Sequence, residues 1–277
     1  MSERPTNRLP ARASAFRIGL GLALAPGAAL VGLAVAPHVR CDPRVGDGLA
    51  FLGATAFPIV GLAVATTGEA SLALTLCLSL PALATWLGVV WLQPAPSVAL
   101  VLANAALVCL AWAFGSALGK RVQHPAHLSP ACVVAASADL VSLLSPEGPS
   151  HAIAQSDRAL SVLTVGFPVP GSLALAPALG IGDLLFMALV FGVAQRHGLP
   201  YTRTVGLCAL GTALAGMAAA GFGLAIPALV PIAAVLLLGL PPIRRLRRAD
   251  RAAAWVSMLA ATSVAAVSLA RALVLRH

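Results

Sequence analysis

Ser71-Leu-Ala-Leu-Thr-Leu-Cys-Leu-Ser-Leu-Pro-Ala-Leu-Ala-Thr-Trp-Leu-Gly-Val-Val-Trp-Leu92 runs for 22 residues without a charged side chain. A helix needs about 20 predominantly apolar residues to cross the hydrocarbon core of a bilayer, so this stretch predicts a membrane span. Outward from it, apolar runs punctuated by Pro, Gly and charge predict eight more. The nine are Ala15–Ala36, Leu49–Ala65, Ser71–Leu92, Ser97–Leu118, Leu128–Leu144, Leu173–Ala194, Thr204–Phe222, Leu224–Leu240 and Ala252–Leu275. The composition agrees: 59% of residues are hydrophobic, 10% are charged, and the mean hydropathy is +0.93. A soluble domain carries about 25% charged residues, so a water-soluble globular protein is excluded. With 277 residues, nine spans leave no room for a separate soluble domain. The expected fold is all-α, a polytopic transmembrane helix bundle of about nine spans.

The net charge of +9 does not call for a nucleic-acid partner, because the basic residues flank hydrophobic spans, where they set topology. With the N-terminus in the cytoplasm, thirteen basic residues fall inside and five outside. The positive-inside rule therefore favours that orientation, with the first span a retained signal anchor. Seventeen of the 18 basic residues are Arg, which points to a GC-rich prokaryotic genome and hence a prokaryotic plasma membrane. Cys41, Cys77, Cys109, Cys132 and Cys208 form no CxxC pair, against a zinc site or a disulfide framework. The six histidines fall in loops or at the terminus, and no metal or cofactor is expected. Trp86, Trp91, Trp112 and Trp255 lie towards span ends, as interfacial anchors would.

Of nine acidic residues, seven are loop or boundary groups. Asp139, deep in the fifth predicted span, and Asp183, near the middle of the sixth, are different. An ionised Asp at a helix centre costs about 2.5–3.5 kcal/mol on insertion scales, so such residues face a partner or a wet cavity. Ala135, Ala136, Ser137 and Ala138 precede the first, while Gly180 and Ala176 would share a helical face with the second. Small residues let membrane helices pack closely. Two carboxylates brought near each other in a low dielectric tend to share one proton. One can then act as general base on a water while the other polarises a peptide carbonyl. A proton relay in a transporter is an equal reading of the carboxylates alone.

Three local strings bear on that choice. Gly180-Ile-Gly-Asp183 is a GxGD string. Asp139-Leu-Val141 is followed by Leu144-Ser-Pro-Glu-Gly-Pro149, and Ile226-Pro-Ala-Leu229 contains PAL. In this order the strings resemble the presenilin and signal peptide peptidase family of GxGD intramembrane aspartyl proteases, over about residues 128–240, so that the chain looks like a prokaryotic presenilin-like homologue. The resemblance implies an aspartic endopeptidase cleaving transmembrane peptides or membrane proteins within the lipid bilayer. Asp139 and Asp183 would be the catalytic pair, with Gly180, Gly182, Pro227, Ala228 and Leu229 shaping the substrate site. It divides the chain into a four-span scaffold (1–120), a catalytic core (121–240) and a basic loop with an extra span (241–277). The family usually has Tyr where Ala138 stands and five spans, not four, before the first Asp. The loop charges run the Asp139 helix outward from the cytoplasm, as in signal peptide peptidases.

A helical peptide bond is shielded and must unwind before cleavage. The β-branched run Leu160-Ser-Val-Leu-Thr-Val165 is therefore expected to form a strand edge that pairs with an unwound substrate. The glycines Gly180 and Gly182 are expected to permit close helix contact and backbone exposure, and the Gly211, Ala215, Ala219 stripe to serve packing. Two other activities fit parts of the pattern. A prepilin-type peptidase shares GxGD but often carries a Cys tetrad, and a proton-coupled transporter would use the two Asp as a relay.

Overall fold

The computed structural model describes residues 11–145, 148–172, 174–222, 226–246 and 248–274. Of the described residues 82% are helical. Helices α1 (Ala11–Val35), α2 (Pro43–Thr66), α3 (Leu72–Leu92), α4 (Pro96–Arg121), α5 (Leu128–Leu144), α6 (Pro149–Ala154) and α7 (Asp157–Leu163) precede a hairpin of β1 (Thr164–Pro168) and β2 (Leu175–Gly180). Helices α8 (Ile181–His197), α9 (Tyr201–Phe222), α10 (Leu229–Gly239) and α11 (Arg248–Val274) follow. Among the described residues seven helices are long and apolar enough to cross a membrane: α1 to α4, α5 with the turn before it, α9 and α11. This is the build of a multi-pass membrane protein. The other two predicted spans correspond to shorter helices, α8 of 17 residues and α10 of 11.

Local chemistry sets the boundaries. Asp42 accepts the Arg44 N–H at 2.9 Å, and Pro43 takes the first helical position of α2. Ser71 Oγ accepts the Leu74 N–H at 3.1 Å to start α3. Gly198, with φ of +62°, ends α8 in the left-handed conformation that glycine adopts without strain. The predicted span Leu128–Leu144 and α5 coincide.

The core is built on α4 and α8. Leu184, Met187, Ala188, Val190, Phe191, Val193 and Ala194 are all buried, so α8 is enclosed nearly all round, as an interior helix is. Its most extensive partner is α4. A Cβ at Gly115 would stand 2.5 Å from the Leu185 carbonyl oxygen, and one at Gly119 2.5 Å from that of Leu189. Only glycine permits this approach, and in lipid such close packing, rather than hydrophobic expulsion from water, holds helices together. Trp112 is not an interfacial anchor: it is 1% exposed, because it lies within α4 on the side that carries the core. Trp91 and Trp255 are exposed. The C-terminal α11 packs along α5, and His127 Nε2 meets Asp250 Oδ2 at 3.2 Å where the two helices begin.

The sixth predicted span is corrected at its start. Leu173 lies outside the described residues, and Leu175–Gly180 is strand rather than helix. Pro177 has no N–H, and the residue before a proline avoids helical dihedrals. The strands pair antiparallel, Thr164 with Gly180, Val165 with Leu179, Gly166 with Pro177, Phe167 with Ala176 and Pro168 with Leu175. A bulge between the second and third pairs leaves Ala178 without a partner. The expected strand Leu160–Val165 is also corrected. It is helical through Leu163, since Ser156 Oγ accepts the Ala159 N–H at 3.2 Å and caps α7, and the strand begins at Thr164.

Non-helical backbone in a membrane bundle is tolerated where protein surrounds it, and α1, α2 and α4 pack against this hairpin. The Phe167 ring fills a notch left by Gly32 and Gly53 and stacks on Phe57 with centroids 6.0 Å apart. Trp86 on α3 donates from Nε1 to the Val162 carbonyl at 2.7 Å and so holds the end of α7 that leads into β1. Gly171, at φ of +81°, donates its N–H to the Ala36 carbonyl at 2.8 Å. Asn104 on α4 bonds both backbone groups of Gly166.

Candidate active site

The strand-to-helix junction at Gly180–Ile181 decides where the second carboxylate stands. Asp183 is the third residue of α8 and not, as expected, near the middle of a span. Its Oδ2 accepts the Gly180 N–H at 3.1 Å. Helix N-termini leave amides without intrahelical partners, and an acidic side chain in the first turn satisfies one of them. The position of Asp183 is therefore bound to the end of β2.

Asp139 is brought in from the other side by α5. That helix packs on α10 and α11, leaving Asp139 and Leu143, four residues apart on one face, turned to the interior. Two donors approach the Asp139 carboxylate. Ser150 on α6 points its hydroxyl at Oδ1 from 3.5 Å, and the Leu229 amide, opening α10 without an intrahelical acceptor, is directed at the same carboxylate. Ser150 is in turn held by Ser142, whose Oγ accepts the Ser150 N–H and whose hydroxyl donates to Ser150 Oγ, both at 2.8 Å.

The two carboxylates lie within electrostatic reach of one another across a cavity of about 1610 Å³. The cavity is bounded by α2, α5, α6, the β2–α8 junction, α9 and the start of α10. All seven residues singled out from the sequence, Asp139, Asp183, Gly180, Gly182, Pro227, Ala228 and Leu229, line it. Exposed Arg44 and Asp47 of α2 line it too, and with Ser150, Thr164 and Thr212 they add polar groups to its wall.

The expected helix packing at the GxGD glycines is not found. A Cβ at Gly182 would meet nothing within 4 Å, and one at Gly180 would meet only Asp183 Oδ2 at 3.5 Å. Gly180 belongs to a strand, and α5 packs elsewhere, so these glycines keep the cavity floor open beside Asp183 rather than seat a neighbouring helix. In the α9 stripe Gly211 does serve packing, since a Cβ there would lie 2.5 Å from Ile232 Cα, whereas Ala215 and Ala219 line the cavity.

Pro227 and Ala228 form the turn into α10, with the Val230 N–H donating to the Pro227 carbonyl at 3.1 Å. Gly223, Leu224 and Ala225 of the connection before it lie outside the described residues, as do Pro146 and Glu147 of the turn after α5. Ser142 and Ser150 went unnoticed in the sequence. The spacing of three from Asp139 to Ser142 was a usable signal, but the return of Ser150 depends on that turn. Histidines have structural partners here: His197 Nε2 bonds the Val122 carbonyl at 2.9 Å, and His127 pairs with Asp250. No three His, Cys, Asp or Glu side chains converge as a metal site would require, among the described residues. Comparison with known proteins adds no relative: no family model, curated protein or solved structure matches the chain.

Proposed function

We propose that the chain is an intramembrane aspartic endopeptidase that hydrolyses peptide bonds within transmembrane segments, with Asp139 and Asp183 activating one water. The observation that carries this reading is the convergence of two carboxylates, from α5 and from the β2–α8 junction, on one cavity large enough for a stretch of peptide. In the reaction, one carboxylate takes a proton from the water as its oxygen attacks the scissile carbonyl carbon. The other, protonated, gives its proton to the carbonyl oxygen. Collapse of the tetrahedral diol breaks the C–N bond, a proton passes to the departing amine, and the pair again holds a single proton. No metal and no cofactor enters.

The order of the Asp139, GxGD and PAL strings, which resembles that of the presenilin and signal peptide peptidase family, supports the same reading. On this reading α8 and α10 complete nine crossings, with the N-terminus in the cytoplasm of a prokaryotic cell. A substrate that has unwound adds as a strand to the edge of β2, whose Pro177, Ala178 and Gly180 line the cavity.

The test is incubation of purified protein in liposomes with a single-span peptide, with and without a hydroxyethylene transition-state inhibitor. The expected result is inhibitor-sensitive products whose masses place the cut inside the hydrophobic stretch. Absence of products, or products insensitive to the inhibitor, removes the hydrolase. The hydroxyl chain Ser142–Ser150–Asp139 also suits a proton relay, the transporter reading, which predicts gradient-dependent uptake by the same liposomes and no cleavage.

A further inference from the structure

Asn104 lies within α4, is 1% exposed, and stands between Ala103 and Ala105. A carboxamide in an apolar bundle is costly unless its groups are bonded. Both are, and to a single residue: Nδ2–H donates to the Gly166 carbonyl at 2.9 Å, and Oδ1 accepts the Gly166 N–H at 3.1 Å. These are the two bonds that a neighbouring strand exchanges with a residue of an antiparallel ladder. On its other side Gly166 is paired with Pro177, which has no N–H, so that pair cannot exchange both bonds. The amide and carbonyl of Gly166 are turned outward to α4, where Asn104 takes them. Glycine suits the position, because a Cβ there would lie 3.1 Å from the Ala176 carbonyl oxygen and 3.2 Å from Leu100 Cδ1.

Asn104 thus closes the outer edge of β1 as a third strand would, and at the place where the hairpin is weakest. The bulge at Ala178 adjoins the Gly166–Pro177 pair, and the ladder is locally disrupted there. Register matters at the other end of β2, because Gly180 is both the last residue of that strand and the donor to Asp183. Loosening of β1 from α4 is passed through the β1–β2 pairs to that end, and shifts the open edge of β2 relative to Asp139 on α5.

We propose that Asn104 is a positioning residue that fixes which peptide bond is cut. This rests on the proposed protease and on substrate adding to β2. By pinning Gly166 to α4, Asn104 holds β1, and through its pairs β2, in one place and so presents one substrate bond to Asp139 and Asp183.

The experiment compares wild type, Asn104→Ala and Asn104→Asp in liposomes with two readouts: amide hydrogen exchange over residues 164–168, and the masses of peptide products. In Asn104→Ala, exchange at Gly166 rises about tenfold, as loss of a buried hydrogen-bond partner allows. Its single main product is replaced by a set displaced by one or two residues. Asn104→Asp keeps the acceptor for the Gly166 N–H and gives a narrower set than Ala. Wild-type exchange in Asn104→Ala overturns the anchor, and raised exchange with one unshifted product overturns the positioning role. Should the Ala variant fail to fold, Asn104→Leu, which fills the space and removes both bonding groups, is read by the same criteria. If wild type cleaves nothing while exchange responds as described, the protease reading has failed and the cleavage role falls with it, although the anchor stands.

Discussion

Replacing Asp183 with Asn keeps an oxygen where Oδ2 now accepts the Gly180 N–H at 3.1 Å, and removes the group that can take or give a proton. Replacing it with Ala removes both. A side-chain bond to a free amide at a helix start is worth about 0.5–2 kcal/mol. Asp183→Asn should therefore unfold within about 0.5 kcal/mol of wild type, and Asp183→Ala about 1 kcal/mol earlier. Their chemistry should not differ. A positioned acid or base contributes about 10²–10⁴-fold, and one carboxyl group cannot hold both roles in the same step. Each variant should thus lose at least about 10³-fold in kcat. Stability is read from thermal melts in detergent micelles, and cleavage from a fluorogenic single-span reporter in liposomes. Cleavage by Asp183→Asn within about tenfold of wild type would refute the two-carboxylate mechanism. Equal melting of the two variants would refute the part assigned to the Gly180–Asp183 bond.

Gly182→Ala adds a methyl group into open space, so its melting should stay within about 0.5 kcal/mol of wild type, while KM for the reporter rises; an unchanged KM would mean that the cavity floor does not meet substrate. Ser150→Ala removes a donor to Asp139 and should lower kcat about tenfold at constant KM, and a loss confined to KM would assign Ser150 to binding instead.

The helical elements were legible because lipid imposes a simple rule on them. Uninterrupted apolar length predicts a span, and Leu128–Leu144 was recovered to the residue. The hairpin was less legible, since hydropathy does not distinguish a strand from a helix when both are enclosed by protein. Leu175–Gly180 is as apolar as the helix after it, and only Pro177 hinted that the helix starts later. The run Leu160–Val165 erred in the other direction, because β-branched residues suggested strand while the Ser156 cap, a local bond, carried helix through Leu163. At the site, residue types were legible and their partners were not. Asp139, Asp183 and the PAL turn could be named from their strings. Ser150, the Leu229 amide and Asn104 act through contacts across 11, 90 and 62 residues of chain, which no local pattern encodes. Asn104 still carried a signal, as a lone carboxamide within an apolar stretch.

The junction that the sequence obscured is also where the proposed chemistry has its geometric reason. A helix hides its peptide carbonyls in its own hydrogen bonds, so a transmembrane substrate offers no bond to attack until it is extended. Inside a helical bundle almost every backbone group is already paired, and a substrate strand can find donors and acceptors only along a strand edge. One edge of the hairpin is occupied by Asn104, while the other lines the cavity. The second edge ends at Gly180, whose N–H donates to Asp183 Oδ2 at 3.1 Å, so a peptide laid along it would reach the carboxylate in extended form. Had Asp183 stood in mid-helix, as its hydropathy suggested, the nearest backbone would have been fully bonded and a substrate would have had nothing to pair with. Breaking the span at Pro177 and Gly180 places an acid, an open edge and the cavity at one point.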